Sequence, residues 1–261
     1  MTRFVSGLVM IAAFAGVLWY APPWLFLVVI EILVVAAVLE YAGLMERTGV
    51  PVPRPLAAAA AVVICAGIAW PGPYAVPGLA AAVVVVLLAA LTASEPDPRV
   101  PAAVAAALFP SLYIAVPLAL AAVVRTDHGR EALLLCVLVV LASDTAQYYT
   151  GTLVGRHRLA PSVSPKKSVE GAAGGFVAGV AIAAGLGRLW LPAVPVPRLV
   201  AIGIVLVGLG IAGDLFESLL KRSANVKDSS ALIPGHGGVL DRIDAYLFVI
   251  PGYYLVLRLA A

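Results

Sequence analysis

Apolar stretches long enough to cross a lipid bilayer recur along the chain, separated by short breaks of proline, glycine and charged residues. A membrane helix needs roughly 20 mostly apolar residues, and by that length the pattern predicts about nine transmembrane helices. We therefore expect an all-α, polytopic integral membrane protein. The predicted spans are residues 4–20, 24–44, 55–71, 77–93, 100–124, 129–151, 171–191, 198–220 and 240–259.

Composition agrees with this interpretation, since 62% of the 261 residues are apolar and only 12% are charged. The first apolar stretch leads directly into the second and lacks a small-residue cleavage site, so we interpret it as a retained span rather than a signal peptide. Cys65 and Cys136 both lie inside apolar runs. That position favours buried thiols over a disulfide or a thiol metal site.

The distribution of basic residues predicts an orientation. If the amino terminus is cytoplasmic, twelve of the 17 lysine and arginine residues fall on the cytoplasmic side, as the positive-inside rule favours. The two long polar segments, 152–170 and 221–241, then become cytoplasmic loops. The small net charge of +3 reflects this topology, and no basic aromatic surface for nucleic acid is present. We expect the protein to lie in the cell (inner) membrane. Residues 1–95 would form N-terminal transmembrane helices, and residues 96–261 would form the functional region.

Charged residues are concentrated between Ser218 and Asp244, where the sequence reads SLLKRSANVKDSSALIPGHGGVLDRID. Charged side chains next to hydrocarbon cost free energy, and where they occur they usually have a function. Just upstream, Asp214, Glu217, Ser218 and Lys221 follow spacings of three and four residues. These side chains are therefore predicted to share one face of a helix that leads to the cytoplasmic side.

Asp241 and Asp244 repeat the three-residue spacing at the start of the last predicted span. A helix amino terminus favours anions, so carboxylates and phosphate could both be ordered there. Mg2+ prefers carboxylate and phosphate oxygens, and the pattern indicates a site where such an ion bridges protein to phosphate. The candidate metal ligands are Asp214, Asp241 and Asp244, and the candidate phosphate-neutralising residues are Lys221, Arg222 and Lys227.

A glycine-rich turn, Pro234 to Gly238, lies between the two acidic stretches. Its glycines, including Gly237 and Gly238, permit positive φ angles and close approach of the backbone to a ligand. His236 could contact phosphate or shuttle a proton, or it could only hydrogen-bond the loop. Both interpretations remain open at this point.

A second polar block covers residues 144–151 and 164–171. Asp144 is predicted to share a helical face with Tyr148 and Gly151. Lys166 and Lys167 follow in a loop, where an isolated pair would suggest anchoring to anionic lipid. The surrounding Ser, Pro, Glu and Gly residues favour anion binding instead.

Two acidic residues, Glu31 and Glu40, lie inside the second predicted span. Carboxylates within a membrane are expensive and are often functional. The sequence leaves the role of both residues ambiguous, and we favour a helix-packing or interfacial role over a ligand role.

The region from Ser218 to Asp244 resembles the signature of phosphatidate cytidylyltransferases, also called CDP-diacylglycerol synthases. The resemblance is strong from about residue 140 to 252 and weaker before, although Thr2 to Met10 is similar to the usual beginning of the family. The matching signature positions are Ser218, Leu220, Lys221, Arg222, Lys227, Asp228, Ser230, Ile233, Pro234, His236, Gly237, Gly238, Val239, Asp241, Arg242, Ile243 and Asp244.

Three positions depart from the family pattern. Gln147 stands where the family more often has a small residue, Ser168 replaces a common threonine, and Val169 replaces a common tryptophan. Ser168 retains the hydroxyl, so these changes concern fine contacts around a nucleotide. The acidic and lysine positions are all kept.

The resemblance implies the reaction of CTP with phosphatidate to give CDP-diacylglycerol and pyrophosphate, and it implies that the reaction requires Mg2+. A second ion such as K+ is compatible with the family. The resemblance also implies a homodimer in the lipid bilayer. The catalytic residues would be Asp214, Lys221, Arg222, Asp241 and Asp244. The substrate-binding residues would be Asp144, Ser164, Lys166, Lys167, Lys227, His236, Gly237, Gly238 and Arg242.

Other functions fit parts of the pattern. Intramembrane carboxylates and interrupted helices also build ion-coupled transporters, although those hold their polar site near the midplane. A CTP-dependent lipid kinase or a cytidylyltransferase for an ether-linked archaeal lipid is a closer alternative. A membrane scaffold without catalysis would tolerate Asp241→Asn in full.

Overall fold

The computed structural model describes residues 13–70, 72–93, 95–232 and 237–259. Within these ranges most residues are helical, as the apolar pattern predicts. The first described helical residues, 13–20, form α1. The helices that follow are α2 (Pro23–Arg47), α3 (Arg54–Ala69), α4 (Ala75–Ala93), α5 (Val100–Pro110), α6 (Val116–Asp127), α7 (Arg130–Val154), α8 (Val169–Trp190), α9 (Val196–Ser223) and α10 (Leu240–Arg258).

A π-helical turn, Ser111–Ala115, joins α5 to α6. Pro110 ends α5 and has no backbone N–H to donate, so the regular ladder of helical hydrogen bonds is interrupted there, and the π-helical turn follows directly. The helix nevertheless continues through the turn. The span predicted at residues 100–124 is therefore present as one helical segment, Val100–Asp127.

Six helical segments of the described residues are long and apolar enough to cross a bilayer. The apolar α3 has only 16 residues, and α10 carries Asp241, Arg242 and Asp244 at its start. The structure confirms an all-α protein of membrane type, while the count of nine spans remains a prediction. The six segments are Pro23–Arg47, Ala75–Thr92, Val100–Asp127, Arg130–Val154, Val169–Trp190 and Val196–Ser223.

The two polar segments differ in detail from the loops predicted at 152–170 and 221–241. The first contains a short antiparallel hairpin of β1 (Arg158–Ala160) and β2 (Ser164–Ser168) between α7 and α8. At the second, α9 continues to Ser223, so Lys221 and Arg222 are helical rather than loop residues. The extension by three residues is favoured because Lys221 and Arg222 lie in the last turn of the helix, where cations complement the helix dipole.

The chain divides into two compact units, Met1–Val123 with Ser223–Ile243, and Val124–Arg222 with Asp244–Ala261. In the first unit α2 packs on α3, and α3 packs on α4 and α5. In the second unit α7 and α8 pack closely along their lengths. A Cβ added at Gly174 or Gly175 of α8 would overlap Thr150 or Gln147 of α7, so these glycines serve helix packing.

Candidate functional site

A lysine of the hairpin contacts an aspartate of α9 within the second unit. The Nζ atom of Lys167 lies 2.7 Å from Oδ2 of Asp214, and the Lys167 side chain is mostly buried. Lys166, one residue earlier in β2, is exposed, because successive residues of a strand point to opposite faces. The structure therefore brings only one lysine of the predicted pair to Asp214.

The hairpin is held against the start of α8 by a capping serine. The Ser168 hydroxyl accepts a hydrogen bond of 3.1 Å from the Gly171 N–H, so it satisfies one of the free donors at the helix amino terminus. The Glu170 carboxylate accepts backbone N–H groups of Arg156 at 3.0 Å and His157 at 3.2 Å, and it pairs with the His157 ring at 2.6 Å. These contacts fix the strand that carries Lys167.

The face predicted on α9 is present as a chain of contacts. The Ser218 hydroxyl donates to Asp214 Oδ1 at 3.4 Å, and Lys221 forms an ion pair with Glu217 one turn earlier. Glu217 is fully buried, whereas Arg222 is exposed. A buried carboxylate needs a charge partner, so Glu217 and Lys221 form a structural unit. The sequence placed Glu217 on this face but not among the site residues.

Two further aspartates, Asp144 and Asp244, lie within range of the charge of Asp214. Asp144 on α7 accepts a hydrogen bond of 3.2 Å from the Gln147 amide. Asp244 on α10 is repelled by Asp214 and Asp144 and attracted by Lys221, while Lys167 attracts Asp144. We call Asp144, Asp214 and Asp244 the aspartate cluster; together with Lys167 and Lys221 it concentrates charge of both signs in the second unit.

Gly213 allows α10 to approach α9 beside this cluster. A Cβ at position 213 would lie 2.7 Å from the backbone oxygen of Asp244 and 3.0 Å from the Cα of Ala245. Backbone atoms cannot move aside as a flexible side chain can, so any larger residue would push α10 away. The glycine thereby sets the distance between the helices that carry Asp214 and Asp244.

The aspartate cluster offers the oxygen donors that Mg2+ prefers. The described residues contain no group of three or more acidic, histidine or cysteine side chains that could hold a metal by themselves. Mg2+ usually takes one or two carboxylates and completes its shell with water and substrate phosphate. A divalent cation would also relieve the repulsion among the three aspartates. The donor set therefore fits Mg2+ bound together with a phosphate ligand.

In the first unit, the loop before α10 is folded around the Asp241 carboxylate. Its Oδ2 atom accepts the N–H of Ser229 at 2.9 Å and the N–H of Gly238 at 2.7 Å. The hydroxyl oxygen of Ser229 lies 2.9 Å from the same atom, and its single hydrogen is shared between Asp241 and Glu40. Gly237 adopts a positive φ of 80°, as predicted for this turn. One oxygen of Asp241 is thus engaged by the protein, and its role as a metal ligand remains a prediction.

The other predicted residues of this loop are distributed differently. Lys227 and Arg242 are exposed. His236 lies outside the described residues, and so does the start of the chain from Thr2 to Met10. Ser164 begins β2 opposite Ala160.

Glu40 on α2 is a functional candidate that the sequence interpretation missed. It is buried, and its carboxylate accepts hydrogen bonds from the loop that carries the signature residues. Ser229 and Ser230 donate through their hydroxyls at 3.0 and 2.7 Å, and Val239 and Leu240 donate through their N–H groups at 2.9 and 2.8 Å. The sequence feature that could have identified Glu40 as a candidate is an acidic residue within an apolar span.

An open, mostly apolar groove of about 1410 Å3 follows α2 in the first unit. It extends along α2 from Trp24 to Arg47, which is about 35 Å at 1.5 Å per residue. Glu40, Ser229 and Ser230 line it near the Arg47 end. The groove therefore runs from an apolar wall to the loop before α10.

The chain is similar to bacterial proteins named phosphatidate cytidylyltransferase. It is 39% identical to the one from Bacillus subtilis over 133 residues, which cover 51% of this chain and 49% of that protein. It is 39% identical to the one from Haemophilus influenzae over 128 residues, 48% of this chain and 44% of that protein. With the one from Thermotoga maritima it shares 36% identity over 185 residues, 67% of this chain and 66% of that protein.

The chain thus spans about half the length of the first of these curated relatives and about two thirds of the last. A family model described as the cytidylyltransferase family matches residues 1–260. That match covers the hairpin, the aspartate cluster and the loop before α10. The chain belongs to the cytidylyltransferase family.

Proposed function

We propose that this protein is a phosphatidate cytidylyltransferase, which converts CTP and phosphatidate into CDP-diacylglycerol and pyrophosphate. The observation that carries the proposal is the contact between Lys167 and Asp214 within a cluster of three aspartates and two lysines. Such a cluster suits a phosphate ligand bound with a divalent cation. Family membership supports the same activity, and the relatives named above carry that name.

The proposed reaction is an in-line displacement at phosphorus. A phosphate oxygen of phosphatidate attacks the α-phosphorus of CTP, the new P–O bond forms, and the bond to the β-phosphate breaks so that pyrophosphate leaves. Both reactants are anionic, so the main task of the protein is positioning and charge neutralisation. No covalent enzyme intermediate is needed, because the lipid phosphate is already a nucleophile.

The residues of the second unit have distinct proposed tasks. Lys167 would bind a phosphate oxygen of CTP beside Asp214, and Lys221, oriented by buried Glu217, would compensate the charge of the leaving pyrophosphate. Asp214 and Asp244 would hold Mg2+, which supplies Lewis-acid neutralisation of phosphate charge when bound. Asp144 would orient the nucleotide or a second ion such as K+. Asp241 and Arg222 remain predicted members of the same machinery.

The groove along α2 is the proposed place for the hydrocarbon chains of phosphatidate. The lipid must present its phosphate to the signature loop while its acyl chains stay in an apolar environment. The groove suits this requirement, since it is mostly apolar and Ser229 and Ser230 of that loop are among the residues that line it. Arg47 at the same end offers a cation for the anionic headgroup.

Several wider features belong to the same proposal. We propose nine membrane spans in the cell (inner) membrane, with the site facing the cytoplasm, because most basic residues fall on that side. The region from 96 to 261 would carry the chemistry, and 1–95 would supply N-terminal helices. The functional form would be a homodimer.

The proposal is tested by incubating the purified, detergent-solubilised protein with CTP labelled at the α-phosphate, phosphatidate and Mg2+. Label is expected in the lipid phase, and Asp214→Asn should abolish it. Asp127→Asn is the matched control, because it makes the same substitution at an aspartate that pairs with Arg258. This variant should retain activity. Release of labelled CDP without labelled lipid would indicate a lipid kinase instead, and absence of turnover with both diacyl and ether-linked phosphatidate would contradict the enzyme proposal.

A further inference from the structure

Glu40 connects α2 to the loop and helix that carry the signature residues. Its Oε1 atom accepts the Ser230 hydroxyl at 2.7 Å and the Val239 N–H at 2.9 Å. Its Oε2 atom accepts the Ser229 hydroxyl at 3.0 Å and the Leu240 N–H at 2.8 Å. Each carboxylate oxygen thus meets two donors, and all four donors belong to one segment that is distant from Glu40 in the sequence.

Two of these donors lie at the amino terminus of α10. Leu240 is the first residue of the helix, and Val239 precedes it. The first N–H groups of a helix have no partner within the helix, and a carboxylate at that end is favoured by the helix dipole. Glu40 therefore caps the amino terminus of α10 from another helix.

The hydroxyl of Ser229 links Glu40 to Asp241. It lies 3.0 Å from Glu40 Oε2 and 2.9 Å from Asp241 Oδ2. Asp241 Oδ2 also receives the N–H groups of Ser229 and Gly238. The position of the Asp241 carboxylate is thus defined by a loop that is itself fastened to Glu40.

The glycine at position 238 fits the same arrangement. A Cβ added there would overlap the carboxylate of Glu40 and the hydroxyl of Ser229. Gly238 is buried, so neither group could move into solvent to make room. The second glycine of the Gly237-Gly238 pair is therefore required by the space that Glu40 occupies.

We propose that Glu40 is a positioning residue for the reaction: it holds Ser229 and Ser230 on one side of the loop and Val239 and Leu240 on the other, so that Asp241 is kept in its working orientation. This inference rests on the proposed cytidylyl transfer, for which Asp241 is a predicted site residue. Glu40 lines the groove, but both its carboxylate oxygens are engaged by Ser229, Ser230, Val239 and Leu240, so in this proposal it acts through the loop and not on a substrate. It lies outside the signature segment, on a different helix.

Glu40→Gln is the direct test, because it keeps the size of the side chain but replaces one acceptor oxygen with an amide donor. In either amide orientation, one of the two N–H donors, Val239 or Leu240, faces the new NH2 group and loses its acceptor, while the serine hydroxyl on that side can turn and accept. Amide hydrogen exchange at the residue that loses its acceptor is expected to become about 10-fold faster. At saturating CTP and phosphatidate, kcat is expected to fall by about 10-fold or more, with the melting temperature within about 3 °C of the unmodified protein.

Glu131→Gln provides the matched control, since Glu131 lies at the start of α7 in the other unit. It should leave both exchange and kcat unchanged. Ser230→Ala removes one hydroxyl donor to Glu40. It provides a second test of the same interaction if Glu40→Gln fails to fold. It should lower kcat by about 3-fold alone and add little in the Glu40→Gln background, because the two residues share one interaction.

Three results would overturn the inference. Normal exchange and normal kcat in Glu40→Gln would show that the contacts are dispensable. Normal exchange with reduced kcat would indicate that Glu40 acts on a substrate directly, and faster exchange with normal kcat would show that loop order is not used in the reaction. If the unmodified protein transfers no cytidylyl group, the proposed function fails, while hydrogen exchange still decides whether Glu40 fastens the loop.

Discussion

Lys167 and Asp214 form a close ion pair, with 2.7 Å between Nζ and Oδ2. The pair joins the hairpin between α7 and α8 to the polar face of α9. Lys166, the adjacent residue, is exposed. The two neighbouring lysines thus differ in burial and in contact with Asp214. Substituting each in turn tests which of them contributes to the site.

We expect Lys167→Ala to lower kcat/KM for CTP by about 100-fold, because it removes a buried cation that would bind phosphate and leaves Asp214 without its partner. Lys166→Ala should lower it by less than about 5-fold, since an exposed lysine contributes mainly screened, long-range attraction. Steady-state kinetics with varied CTP measure both effects. Equal losses in the two variants would contradict the assignment of Lys167 as the residue in the site.

Gly213→Ala should damage both stability and activity. The added Cβ would lie 2.7 Å from the backbone oxygen of Asp244, and overpacking of this kind costs about 1–3 kcal/mol. The melting temperature in detergent should fall, and cytidylyl transfer should decrease by at least about 10-fold, because α10 would move away from Asp214.

Gly185→Ala is the control for this substitution. Gly185 lies in α8, and a Cβ there would meet nothing within 4 Å. The same change should therefore be neutral or should stabilise the helix by about 0.5–1 kcal/mol. If Gly213→Ala behaves like Gly185→Ala, close packing of α9 and α10 is not needed for the site.

The polar face of α9 could be predicted from sequence because helical spacing is a local property. Asp214, Ser218 and Lys221 recur at intervals of three and four, and in the structure Ser218 contacts Asp214 while Lys221 pairs with Glu217. The predicted apolar spans follow from the length of apolar runs, which is also a local property, and from residue 24 onward each falls on a described helical segment. Local sequence patterns therefore account for most of the helices that the structure describes.

Contacts between distant segments could not be predicted in this way. Glu40 was interpreted as a packing or interfacial residue because an isolated carboxylate in a span does not identify its partners. Those partners, Ser230 and Leu240 among them, lie far along the chain. The ion pair of Lys167 could not be predicted either, because it depends on a short hairpin. The sequence of β2, SPKKS, lacks the alternating β-branched residues that indicate a strand.

Removal of Mg2+ with EDTA should abolish cytidylyl transfer, and added Mg2+ should restore it. Asp244→Asn should raise the Mg2+ concentration for half-maximal activity by about 10-fold or more, because it removes one anionic oxygen ligand and reduces the negative charge of the aspartate cluster. Titrations of activity against Mg2+ measure this shift. Asp127→Asn should leave the titration unchanged, and an unshifted titration for Asp244→Asn would exclude that residue as a ligand.

The groove along α2 predicts a dependence on lipid chain length. Ala36 lines the groove, and Ala36→Trp would fill part of its volume of about 1410 Å3. We expect KM for long-chain phosphatidate to rise by about 10-fold, while KM for CTP and for a water-soluble short-chain phosphatidate stays nearly constant. Leu88→Trp, on an exposed position of α4, should change none of these values.

A photoactivatable acyl chain tests the same prediction without relying on kinetics. Phosphatidate with such a chain should label peptides of α2 and α3 in the unmodified protein, and Ala36→Trp should reduce this labelling. Because the label reports contact and not turnover, it separates the location of the lipid from the identity of the reaction. Labelling confined to α8 or α9, with unchanged kinetics in Ala36→Trp, would place the acyl chains elsewhere and leave the groove without a role in substrate binding.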